Sequence, residues 1–243
     1  APDIALTHDT LDDVEDEVSE PECEQGTFCL DGVAGICTTS GQWQANEDCG
    51  AQGLLCVSGS CRSPCTLTDD AEGVVGCEHW ALALAHKGEG PFAISVYNPS
   101  PSLVAAVALW RRLDAESEPE VVASLEVNPR ESRSFALAPA DTLEPGRHWH
   151  GWHVRSTTPI IASQHSPLAA MSTTSGDGSL LLPAIALGTD YIATGRPEGR
   201  RVDSSRTRGT LSIVATAPGT QVTLIPSTAI DAGEFFGTLA AGQ

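Results

Sequence analysis

All eight cysteines of this 243-residue chain lie between Cys23 and Cys77, and none follows. That confinement divides the chain before any periodicity is considered. An even, clustered set in a Gly-rich stretch with little apolar content reads as a disulfide framework, and such frameworks form outside the cytosol. Zinc is the competing reading, but structural zinc sites favour paired Cys-x2-4-Cys knuckles. The intervals between successive cysteines are 5, 7, 11, 6, 4, 3 and 11 residues, so only the end of the series offers knuckle spacing. We therefore expect Cys23, Cys29, Cys37, Cys49, Cys56, Cys61, Cys65 and Cys77 to be oxidised. The pairing Cys65–Cys77 is the one preferred, as a link to whatever follows. Glycines at short intervals in "LDGVAG", "TSGQW" and "VSGSC" suit tight hairpins. A unit so small buries little and needs its cross-links to stay folded.

Charge divides the chain a second time. Residues 1–61 contain no Lys or Arg yet hold 13 of the 32 acids, and ten of those fall within residues 1–24. Such a block repels itself and has too little apolar surface to offset chain entropy, so residues 1–22 are expected to form an acidic disordered leader. "LDDVEDEVSE" lacks the alternating acids and central glycine of a calcium loop. The net charge of −19 argues against nucleic acid, whose binding depends on cationic side chains, and against an anionic membrane surface. No apolar run approaches the roughly 20 residues that cross a bilayer. "APDIALTHDT" has neither the basic start nor the apolar run of a signal peptide. Taken with the cysteines, this leads us to expect an exported, already processed form, extracellular or held in the cell envelope. A signal peptide or lipid anchor upstream of Ala1 would fit that compartment.

From His79 onward the period is two. "HWALALAHK" places Trp80, Leu82, Leu84 and His86 on one side and alanines on the other. "PFAISVYNPS" does the same with Phe92, Ile94 and Val96, and "EPEVVASLEVNP" with Val121, Ala123, Leu125 and Val127. "HWHGWHVRS", "PIIASQH", "GTLSIVATA" and "TQVTLIPS" continue the pattern. Short strands cut by Pro, Gly, Asn and Asp predict an all-β antiparallel sandwich or barrel-like domain behind a small disulfide-rich module. "SLVAAVALWRRLDAE" reads as a strand ending in a charged turn, with a helix as its alternative. The expected organisation is a leader over 1–22, a cysteine-rich module over 23–65 and a β-rich domain over 66–243.

Five stretches occur in this order: "GCEHWALALAH" (Gly76 to His86), "PFAISVYNPS" (Pro91 to Ser100), "VRSTTPIIASQHSPL" (Val154 to Leu168), "SGDGSLLLPAIALGTDYIATG" (Ser175 to Gly195) and "LSIVATAPGTQVTLIPS" (Leu211 to Ser227). Together they resemble the N-terminal domain of the IgGFc-binding-protein family, including its bacterial versions. The likeness covers about residues 76–243. It implies an extracellular, non-enzymatic recognition or adhesion domain with a protein or glycan ligand, no cofactor, and strands continuing past Gln243. A secreted hydrolase and a structural surface-coat protein are the alternative functions.

Four groups of residues are candidates for chemistry. His165, Ser175, Ser179, Asp177 and Asp190 supply the residue types of a hydrolytic triad. However, "SGDGS" carries a carboxylate where a nucleophile elbow needs its serine. The plainer reading is a polar turn at Ser175–Gly178, with Leu181 entering the core and Leu180 and Leu182 facing alike. In "HWHGWH", His148 and His150 share a strand face and His153 follows, a possible imidazole set for zinc or copper. Trp149 and Trp152 in the same stretch offer faces for sugar rings. Finally, "GRPEGRRVDSSRTRG" gathers Arg196, Arg200, Arg201, Arg206 and Arg208, whose forks suit carboxylate or phosphate groups on a partner. The plainer reading of that stretch is a solvated loop.

Overall fold

The structure is a computed structural model that describes residues 23–67, 73–83, 91–114, 116–137, 148–149, 151–166, 177–194, 199–200, 206–207, 211–225 and 238–239. The chain divides into two compact units, Ala1–Arg62 and Ser63–Gln243. The expected leader over 1–22 lies outside the described residues.

The first unit is small and cross-linked. Strands β1 (Gly26–Leu30), β2 (Val33–Cys37) and β3 (Trp43–Asp48) form an antiparallel meander, and β4 (Leu55–Val57) and β5 (Ser60–Arg62) form a hairpin. Disulfides Cys23–Cys37, Cys29–Cys56 and Cys49–Cys61 tie these pieces together. Buried apolar residues number few here, Ala34, Cys37 and Cys49 among them, so the covalent links supply what the core does not. Trp43 lies directly over Gly35, where an added Cβ would sit 2.7 Å from the indole. Only glycine admits that approach.

The second unit is an antiparallel sheet of seven strands that curls into a half-barrel. Its strands are β6 (Val75–Leu82), β7 (Phe92–Tyr97), β8 (Ala105–Arg111), β9 (Glu120–Val127), β10 (Ser132–Leu137), β11 (Gly151–Ser166) and β12 (Asp177–Leu181). β11 organises it. Its first half pairs with β6 and β8, its second half with β7 and β12, and β6 rejoins it at Ile160 and Ile161. "HWHGWHVRS" and "PIIASQH", expected as separate strands, are thus joined in one 16-residue strand. Between Arg155 and Ile160 four residues of β11 stand against Cys77 of β6, so the ladder is interrupted and its register shifts by three. Disulfide Cys65–Cys77 joins the single-turn 3-10 helix at Pro64–Leu67 to β6, and both cysteines belong to this unit.

The concave side holds the core: Phe92, Ile94, Val96, Val107, Leu109, Val127, Val154 and Ile160 are almost fully buried. On β6 and just past its end the inward set is His79, Ala81 and Ala83, so the small residues of "HWALALAH" face the core and Trp80 faces away. Asn98 closes the turn between β7 and β8. Its Nδ2 donates to the carbonyls of Leu103 (2.7 Å) and Val127 (2.9 Å), and its Oδ1 accepts from the Ser100 N–H (3.0 Å). A buried amide is tolerated because its hydrogen bonds are made. Asn128–Glu131 then turns β9 into β10, with the Glu131 N–H donating to the Asn128 carbonyl.

β8 followed by a charged turn appears as expected, and Asp114 accepts from the N–H groups of Glu116 (2.9 Å) and Ser117 (2.7 Å) there. These bonds hold the Asp114 carboxyl below its ordinary pKa. The stretch "GTLSIVATA" differs from expectation: its described residues 211–217 form no strand.

Candidate functional site

The convex face of the second unit gathers the side chains that the core leaves over. In an antiparallel sheet, residues opposite each other in register project on the same side. His153 of β11 is opposite Trp80 of β6 on one flank and Trp110 of β8 on the other. Trp80, His153 and Trp110 therefore form a continuous row across three strands. Arg155, two residues along, is opposite Glu78 and Ala108, and Ala108 is opposite Ser124 of β9. Ala106 and Glu126 face each other in the next row.

The row has defined contacts. The Trp80 and His153 rings stack with centroids 4.3 Å apart and planes 3° apart. Glu78 Oε1 lies 2.7 Å from His153 Nε2, at ion-pair distance although off the line of a ring N–H. Burial holds the His153 pKa below its ordinary value, and the nearby Glu78 carboxylate opposes that shift while Arg155 adds to it. Glu78 is thus directed to the imidazole. Arg155, exposed beside them, has no ion-pair partner among the described residues.

Beside this row lies a shallow open trough of about 650 Å3. Ala106, Ala108 and Ser124 are low points of its lining, and Trp110, Arg155 and Glu126 stand around them. It is a depression because β8 presents alanine twice on its outer side while the inner side carries Val107 and Leu109. A second depression borders Arg155 on the other side, between Glu78, Gly76 and Pro183. Gly76 is required there, since a Cβ would collide with the Pro183 ring.

The residues singled out from sequence fall in several places. Trp152 is on the opposite face from His153 and packs on the core, with the Arg111 guanidinium 4.8 Å from its ring centroid. Trp149 has Arg112 5.7 Å from its ring centroid, and its carbonyl accepts from Arg111 Nε at 3.2 Å. His148 is half-buried, His150 is outside the described residues, and His153 is engaged by Glu78 and Trp80. Among the described residues no cluster of three His, Cys, Asp or Glu side chains is placed to hold a metal ion. Arg200 and Arg206 pair through their backbones in a two-residue ladder. Their side chains, and Arg196, Arg201 and Arg208, lie outside the described residues.

The residues of the hydrolase alternative are likewise separated. Ser179 is opposite Gln164, whose side chain turns inward and accepts from the Leu82 N–H at 2.9 Å. His165 is next along β11 and projects on the other side, where its Nε2 is 3.2 Å from Ser163 Oγ. Ser179 and His165 therefore occupy opposite faces. Asp190 is exposed and accepts from the Thr189 hydroxyl at 3.2 Å. Ser175 and the Asp177 side chain lie outside the described residues.

Sequence reasoning did not single out Trp80, Trp110, Glu78 or Arg155 as site residues. The alternation of "HWALALAH" and "AAVALWRR" contained the signal, but it did not say which side of each strand met the core.

Comparison with known proteins gives one family match. Residues 177–243, which include β12, match the family model described as IgGFc binding protein. The convex-face row and trough on β6, β8, β9 and the first half of β11 lie before that segment. No curated protein matches the chain. Among solved structures, one described as the crystal structure of Thermotoga maritima 1070 aligns over 43% of this chain and 91% of its own, at 12% identity and a TM-score of 0.28.

Proposed function

We propose that the chain is an exported, non-enzymatic recognition and adhesion protein of the cell surface or envelope, and that the convex face of its half-barrel meets the ligand. The observation that carries this is the cross-strand row Trp80–His153–Trp110 bordering an open trough. Aromatic side chains on a half-exposed sheet supply contact area at low entropic cost, and they mark binding surfaces more often than solvated ones. The family match over residues 177–243 supports a binding role, and four disulfides suit an extracellular setting. In this reading residues 1–22 form an acidic leader, 23–65 a stapled module and 66–243 the recognition domain of a bacterial-type family member. The arginines of residues 196–208 would be a second docking element.

The test is retention of the intact chain on protein and glycan arrays, with Trp110→Ala as the comparison. Binding that falls at least tenfold in the variant supports the reading. Binding undiminished by Trp110→Ala moves the ligand off this face, and turnover of ester or peptide substrates that is lost in Ser163→Ala or Ser179→Ala would replace recognition by hydrolysis.

A further inference from the structure

We infer that the trough between Trp110 and Arg155 accommodates an uncharged saccharide ring. This rests on the recognition reading above and gives it a ligand class. Three features of the lining point the same way. The first is shape. Arg155 and Ser124 stand on strands either side of β8, so their backbones are about 10 Å apart at the usual spacing of about 4.8 Å per strand. Ala106 and Ala108 leave the ground between them open. That is room for one or two sugar rings lying on the sheet, and it is too shallow to enclose an apolar ligand.

The second feature is the mixture of hydrogen-bonding groups. Arg155 only donates, Glu126 only accepts, and the Ser124 hydroxyl does both. A ligand bearing several hydroxyls satisfies all three at once, because each hydroxyl both donates and accepts. A singly charged peptide side chain would satisfy Arg155 or Glu126 and leave the other facing a desolvated surface without a partner, which costs affinity. The third feature is Trp110 at the end of the trough, backed by the His153–Trp80 stack. An indole presents a flat apolar surface with a partly negative face, matching the C–H side of a pyranose.

Charge narrows the class further. Glu78 is opposite Arg155, Glu126 lines the same trough, Arg155 is the one cation in the trough's described lining, and the chain as a whole carries −19. An acidic glycan would meet net repulsion at this site, whereas a neutral one would not. Arg155 then serves as an oriented donor to hydroxyls and not as a counter-ion.

The experiment uses the intact chain against immobilised neutral oligosaccharides, with sialylated and uronic-acid glycans and a protein array as further arms. Two variants accompany it. Trp110→Ala removes the wall, and Ala108→Leu fills the trough from the convex side without touching the core. The expected result is binding to at least one neutral oligosaccharide, weakened at least tenfold by Ala108→Leu and little changed when salt is raised to about 0.5 M. Thermal unfolding of Ala108→Leu checks that its fold is intact, and it carries the test if Trp110→Ala does not fold. Three results overturn the saccharide assignment. They are no neutral glycan bound, acidic glycans alone bound with strong salt dependence, or a neutral glycan bound equally by Ala108→Leu. A protein ligand that Ala108→Leu abolishes would refute the saccharide while leaving the recognition face standing. A ligand of any kind indifferent to both variants would refute the face itself.

Discussion

His153 lies flat on Trp80, ring centroids 4.3 Å and planes 3° apart, while Glu78 approaches its Nε2 at 2.7 Å. Burial lowers the imidazole pKa, and the carboxylate opposes that shift without reversing it. Glu78→Gln removes the opposing charge, so the His153 pKa is expected to fall further. NMR titration of the histidine Cε1 protons measures this directly. A His153 pKa that rises or stays fixed in Glu78→Gln would show that the carboxylate does not act on the ring. The same change should leave Trp80 stacked, because ring contact and not charge holds it there.

His79 presents the complementary case on the core side of the same strand. It is fully buried, and neither ring nitrogen reaches hydrogen-bond geometry with another described group. Burial lowers its pKa to about 4, against smaller upward pulls from the Val74 backbone and the Glu78 charge. A folded-state pKa below the unfolded value of 6.5 means that the unfolded chain takes up the proton first. Stability is therefore complete above pH 6.5 and declines as pH falls toward about 4. The decline is about 1.4 kcal/mol per pH unit, or about 2 kcal/mol at pH 5. His79→Leu should keep stability at pH 7, since no made hydrogen bond is lost, and should flatten this acid limb. Urea midpoints at pH 7 and pH 5 decide it. A variant that loses stability at pH 7 would mean that the imidazole has a partner worth keeping.

Cys65–Cys77 ties the 3-10 turn at Pro64–Leu67 to β6 across a separation of 12 residues. Closing a loop of that size restricts the unfolded chain by about 3 kcal/mol in the chain-entropy account. The double variant Cys65→Ser, Cys77→Ser is expected to lose about 2–4 kcal/mol. Thiol titration of the unreduced native protein should find no free cysteine, matching the four pairs in the structure. A double variant as stable as the parent would show that the turn is held by packing alone.

The same residues show how far the sequence could be read. Phe92, Ile94 and Val96 announced their face because their neighbours on the other side are small or polar, and a strand of period two buries the bulkier apolar set. In "HWALALAH" both sets are apolar, so period alone could not choose, and the curl of the sheet placed Ala81 and Ala83 inside, leaving Trp80 on the convex face. His148 and His153 looked like one group in sequence, but the strand begins at Gly151 and alternation sends Trp152 and His153 to opposite faces. The partners of His153 come from β6 and β8, whose registers against β11 no local pattern specifies. Val121 was expected with Ala123, Leu125 and Val127, yet the register shift beside Trp110 leaves it 48% exposed. The site is a product of strand order, and strand order is non-local.

The last prediction concerns β12, where the family-matched segment begins. "SLLLP" places three leucines in succession, and a strand must turn the middle one opposite to its neighbours. Leu181 is 7% exposed and belongs to the core cluster, whereas Leu180 and Leu182 are 52% and 44% exposed. Pro183 ends the strand, reaches His79 in an isolated bridge and covers Gly76. Leu181→Ala should cost about 2–5 kcal/mol, the usual range for deleting a buried leucine side chain. Leu180→Ala and Leu182→Ala should each cost well under about 1 kcal/mol, because their side chains already meet solvent. Gly76→Ala should be as damaging as Leu181→Ala, since its Cβ meets the proline ring and not a flexible chain end. Chemical denaturation of the four variants gives the pattern. Equal costs at Leu180, Leu181 and Leu182 would mean that β12 is not seated against β11 in the register Leu181 opposite Ala162, and the edge of the half-barrel would have to be redrawn.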